Sequence, residues 1–84
     1  MKKREATDEY VWLRFRERNL DADVEKIVND NRVTVLEFFS GRMPHAVKAR
    51  HAFWHVLKNL GWSYSSIAQL FLVDHASVMK ALNK

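Results

Sequence analysis

The sequence predicts an all-α fold, a small helical domain that ends in a helix-turn-helix. Three observations carry that expectation. Helix-start signatures recur along the chain. Apolar residues in its longest segment repeat at helical spacing. The stretch from Tyr64 to Asn83, YSSIAQLFLVDHASVMKALN, sets two short helical patterns across a tight turn. The chain reads as five short helices with no committed sheet. Residues 1–20 form an N-terminal extension, expected to be helical, and residues 21–84 the domain that carries the motif.

The extension opens on polar residues. In TDEYVWLRFRERN, Thr7 suits an N-cap, and Asp8 and Glu9 suit the positive end of a helix dipole. Tyr10 and Leu13, with Val11 or Trp12, form the apolar stripe of that helix. Val11, Leu13 and Phe15 also alternate as a strand would, and helix is preferred. Arg14, Arg16 and Arg18 read as a solvated face, the alternative being a DNA-contacting arm. Asp21 starts a second helix with Val24, Ile27 and Val28 inward. Thr34 and Glu37 then make a capping box with Val33 and Phe38 at staple positions, and Gly41 supplies the stop.

Arg42-Met43-Pro44 is a connector in which Pro44 suits the first turn of the next helix, from about His45 to Leu60, with Gly61 ending it. Ala46, Ala49, Phe53, Val56, Leu57 and Leu60 are its expected buried face. Lys48, His51, His55 and Lys58 share the opposite side, either a solvated surface or a phosphate-contacting ridge. In the terminal motif Ser63 and Asp74 are candidate caps, with Trp62/Ile67 and Val73/Val78 as staples. If Ile67, Ala68, Phe71, Val78 and Ala81 face the core, the last helix presents His75, Ala76, Met79, Lys80 and Asn83 outward. The turn position often filled by glycine is Leu72, so the backbone must turn without positive φ or accept strain.

Composition bounds the function. At 84 residues and 48% apolar content the chain is one domain, too small for an ATPase or a large catalytic cleft. Without cysteine it has neither disulfides nor a thiolate metal site. No apolar run approaches a membrane span, and Lys2-Lys3-Arg4 precedes acidic residues rather than a signal-peptide core. The expected location is the cytoplasm, at the nucleoid if DNA is bound. The net charge of +4 is unevenly placed. Residues 1–37 hold eight Lys/Arg and nine Asp/Glu, whereas residues 38–84 hold six Lys/Arg against Asp74 alone, so −1 stands against +5. The basic half contains the motif, which points to a polyanion.

With these residues placed, the segment from about Val24 to Lys84 resembles the DNA-binding C-terminal domain of the bacterial replication initiator DnaA. The resemblance rests on the connector before VKARHA, on SYSSIAQLF, and above all on DHASV, close to that family's Asp-His-Thr-Thr-Val signature. It implies a Trp-repressor/DnaA C-terminal-like fold. Asp74, His75, Ala76 and Ser77 would then read bases in the major groove, and Arg42 would enter the adjacent minor groove. Lys48, Arg50 and Lys58 match basic positions near the backbone. Departures are Ala76 in place of a threonine, Val73 in place of an arginine, a turn without its two glycines, and a less basic connector. An ATPase domain is not expected with the segment, and related domains occur as modules in mobile elements and small phage proteins.

Weighed singly, Asp74 can cap its helix or accept from a cytosine amino group, and His75 can reach a base edge or a phosphate. Lys80 can offset one phosphate charge. The Tyr64 hydroxyl can reach another, and Ser65 beside it completes the candidate set. His51 and His55 have zincin-like spacing but lack the glutamate between them, and only His45 offers a third ligand, so no metal, cofactor or enzymatic activity is expected. The functions that compete are sequence-preferring binding of double-stranded DNA by a small regulator and a protein-interaction module that keeps the fold. A homodimer or protein contact through the N-terminal segment is a variant of the second.

Overall fold

The computed structural model describes residues 8–83 and is all-α there. Its helices are α1 (Asp8–Glu17), α2 (Asp21–Asn31), α3 (Val35–Ser40), α4 (Pro44–Asn59), α5 (Tyr64–Phe71) and α6 (His75–Leu82). The described residues thus hold six helices, one for each helix start read from the sequence and one more than the five counted there. The expected cap Thr7 lies outside them. No described helix is long and apolar enough to cross a membrane.

Four helix ends share one device. Asn19, Arg32, Gly61 and Leu72 each take a left-handed conformation after α1, α2, α4 and α5. In each case the next residue's N–H reaches back to a carbonyl five positions earlier: Leu20 to Phe15 at 2.9 Å, and Val33 to Val28, Trp62 to Leu57 and Val73 to Ala68 at 3.0 Å. This is the Schellman closure, whose residue after the left-handed one is usually apolar, as all four are here. Leu20 and Val33 enter the core, Trp62 is half-buried, and Val73 stays exposed.

The turn before α6 therefore accepts strain, with Leu72 at φ 56°. A left-handed residue with a Cβ costs roughly 1–2 kcal/mol, and Leu72 recovers little of it by burial because 60% of it is exposed. Leu72→Gly is expected to raise stability by about 0.5–1 kcal/mol in urea denaturation. A destabilised variant would show that the leucine side chain, not its backbone, is what the turn needs.

Helix starts are mostly as expected. Thr34 Oγ1 accepts from the Glu37 N–H at 3.0 Å, and Glu37 Oε1 accepts from the Thr34 N–H at 2.8 Å. Those bonds hold the Glu37 carboxyl below its ordinary pKa. Ser63 accepts from the Ser66 N–H at 3.0 Å, and Pro44 occupies the first turn of α4. Gly41 ends α3 with an ordinary φ of −67°, so the reason for glycine is space: a Cβ there would meet the Glu37 carbonyl oxygen at 2.5 Å. Asp74 corrects one expectation. It sits at the N-cap of α6, yet its carboxylate makes no cap hydrogen bond.

The core is a cluster of phenylalanines. Phe71 centres it, with ring centroids 5.5 Å from Phe15, 5.7 Å from Phe38, 5.8 Å from Phe39, 6.3 Å from Phe53 and 5.7 Å from Trp54. Three expected burials are overturned. In α1 the inward pair is Val11 and Phe15, one turn apart, which leaves Leu13 on the other side and half-exposed. In α4, Trp54 is buried, with its ring edge-on to Phe71 of α5, and Val56 is not. Leu60, at the C-cap of α4, is exposed. Ile67, Ala68, Phe71, Val78 and Ala81 all face inward as expected.

Candidate functional site

Burying Val78 and Ala81 turns the rest of α6 outward. His75, Ala76, Ser77, Met79, Lys80 and Asn83 are exposed, as is Asp74 before them. The expected outer face is therefore open to solvent, with Leu72 and Val73 at its edge. α4 lies against α6 and brings its own polar stripe alongside. Lys48, His55 and Lys58 are exposed there, and His51 is half-buried with its ring 5.0 Å from that of Trp54.

Two contacts join the helices at this surface. His51 of α4 lines one open cavity of about 220 Å³ with Ser77, Lys80 and Ala81 of α6. At the far end of α4, Lys58 Nζ lies 4.5 Å from the centroid of the Tyr64 ring, and the Tyr64 hydroxyl donates to Asn83 Oδ1 at 3.4 Å. Lys58, Tyr64 and Asn83 thus connect α4, α5 and α6. Ser65 is exposed beside Tyr64, and Arg42 is exposed in the connector before α4.

Arg50 stands apart from the other candidate cations. It is half-buried, and its guanidinium donates to the carbonyls of Phe38 at 2.8 Å, Glu37 at 3.2 Å and Gly41, closing the C-terminal end of α3. Burial lowers its pKa from the ordinary guanidinium value. Arg14 acts similarly rather than forming a solvated face with Arg16 and Arg18. It donates to Gln69 O at 2.7 Å and to Leu70 O at 3.1 and 3.2 Å, tying α1 to the end of α5. Arg50→Met is expected to cost about 1–3 kcal/mol by leaving those carbonyls short of donors, and Arg50→Lys should not restore it, because an ammonium lacks the planar fork. Unchanged denaturation midpoints would show that water replaces the guanidinium.

His51 is the residue that sequence reasoning placed on the ridge but left out of the candidate site. Its spacing from Lys48 and Lys58 was visible. Its position across from Ser77 and Lys80 depends on the packing of α4 on α6, which spacing alone does not give. A second depression, of about 270 Å³, lies between α2 and α4. Ile27, Phe53 and Val56 form its floor, with Asp23, Lys26 and Asp30 around it. Among the described residues no three His, Asp or Glu side chains gather as metal ligands.

The fold and this surface define the class: a small all-α domain with an outward-facing terminal helix beside a cationic ridge. Compared with protein-family models, curated proteins and solved structures, the chain matches none.

Proposed function

We propose that this chain binds double-stranded DNA with sequence preference, inserting α6 into the major groove while the α4 side grips the backbone. One observation carries the reading: the solvent-facing side of α6 adjoins an exposed cationic stripe on α4, in the half of the chain whose balance is +5. The resemblance of DHASV to the DnaA signature supports it and assigns roles. His75 and Ala76 face base edges, with the Ala76 methyl suited to a thymine methyl, and Ser77, beside Lys80 at the α4–α6 cavity, faces the backbone. Asp74, free of a cap bond, keeps its carboxylate for a cytosine amino group. Arg42 takes the neighbouring minor groove, and Lys48, Lys58, Tyr64, Ser65 and Lys80 contact phosphates. Arg50 supports that surface from behind through α3. The protein is then a small regulator of transcription or replication of the kind carried by a phage or mobile element.

The roles separate experimentally. In fluorescence anisotropy over a panel of duplexes selected from a random library, His75→Ala should lose preference, by about 1–3 kcal/mol between best and mismatched sites. Lys58→Ala should weaken every duplex alike. Identical effects of both changes on every duplex would remove this assignment.

The depression between α2 and α4 favours a second reading, a protein-interaction module. Its apolar floor and the exposure of Val56 suit an apolar side chain from a partner. A complex that survives nuclease treatment and is lost in Val56→Glu, from a chain that binds no duplex near ~50 mM salt, would establish it.

A further inference from the structure

The cavity between α4 and α6 has a composition that base reading does not require. Lys80 brings a positive charge, Ser77 a hydroxyl donor and His51 an imidazole that can donate, while Ala81 closes the floor without any polar group. Among the described residues no side-chain carboxylate lines it. Its volume of about 220 Å³ is roughly seven times the ~30 Å³ share of a liquid water, enough for a tetrahedral oxyanion that keeps part of its hydration. The wall is also fixed in place. His51 packs on the indole of Trp54, which is only 3% exposed and braced edge-on by Phe71. The buried Trp54 Nε1–H has no hydrogen-bond acceptor, and its ring environment reports on the His51 that packs against it.

Donors from two helices and one full positive charge, with no acidic side chain opposing them among the described residues, form a seat for an anion with several acceptor oxygens. We propose that this cavity holds a single phosphate of the duplex backbone, gripped by Lys80 and Ser77 from α6 and by His51 from α4. The proposal rests on the DNA-binding reading above and deepens it. One phosphate seated across the α4–α6 seam sets the depth and rotation of α6 in the groove, and so the register in which His75 and Ala76 meet bases.

Two measurements on the full chain test it. In the first, the ¹⁵N-labelled protein is titrated with inorganic phosphate. Saturable shifts are expected at the Ser77 and Lys80 amides and at the Trp54 indole N–H, and these should be lost in the doubly substituted Ser77→Ala, Lys80→Gln chain. In the second, duplexes carry one neutral methylphosphonate at each backbone position in turn. One position should weaken the native chain about tenfold and leave Lys80→Gln indifferent, and Lys80→Gln should also lower the salt slope by about 1.

Tight duplex binding by the native chain, combined with an unchanged slope and methylphosphonate pattern in Lys80→Gln, overturns the phosphate seat and leaves the DNA reading standing. Shifts with inorganic phosphate in a chain that binds no duplex overturn the duplex as the source of the anion, and the DNA reading with it.

Discussion

Phe71→Ala is expected to destabilise the protein by about 3–5 kcal/mol, the range for emptying a packed phenylalanine site. Phe71 is 2% exposed and lies within 6.3 Å, ring centroid to ring centroid, of Phe15, Phe38, Phe39, Phe53 and Trp54. These residues come from α1, α3 and α4, so one truncation loosens most of the helix layers together. A domain of this length has roughly 4–13 kcal/mol of total stability, and the loss therefore takes a large share of it. Urea titration followed by circular dichroism should show an early transition or none. A midpoint shift corresponding to less than about 1 kcal/mol would mean that neighbouring rings collapse into the vacated space. Phe71 is the last residue of α5, directly before the strained Leu72, so this variant should also lose any property that depends on the placement of α6.

What was legible in the sequence was local. The Thr34–Glu37 box, the Ser63 cap and Pro44 at the start of α4 could be read because each partner lies within a few residues of the other. The inward face of the last two helices was legible because a short amphipathic helix has one apolar side to bury. Rotation about the longer helices was not. In α4 both Trp54 and Val56 are apolar, and only the packing of neighbouring helices, with Phe71 of α5 against the indole, selects the tryptophan. In α1, Val11 and Phe15 displace Leu13 because Phe15 meets four other phenylalanine rings.

Arginines were the least legible. Arg14 and Arg50 look like surface charges in the sequence, but they close the ends of α5 and α3, and the carbonyls they need are 9, 12 and 13 residues away for Arg50 and 55 or 56 for Arg14. The basic half of the chain therefore has one fewer external cation than its composition suggests. The left-handed Arg32 and Leu72 belong to the same group. At Arg32 the chain follows Val33 into the core and the backbone bears the strain, whereas at Leu72 the next residue, Val73, stays exposed and the strain accompanies its N–H bond to Ala68 O.

That distinction between external and committed arginines fixes the second large effect. Arg42, Lys48, Lys58 and Lys80 are the described cations of the basic half that face solvent, so the described residues of that half offer charges for four phosphates. Each contributes about −0.9 to the slope of log affinity against log salt, for a total of roughly −3.6. Duplex affinity should then fall by about 150-fold between ~50 and ~200 mM salt, measured by anisotropy at constant pH. Lys58→Ala should remove about one unit of slope. Arg50→Met, kept well below its unfolding temperature, should remove none, because its guanidinium is occupied by α3 carbonyls. A flat response in the native protein would exclude phosphate contacts altogether. A shallower slope in Arg50→Met would instead place that side chain on the nucleic acid and require the end of α3 to open when the duplex binds.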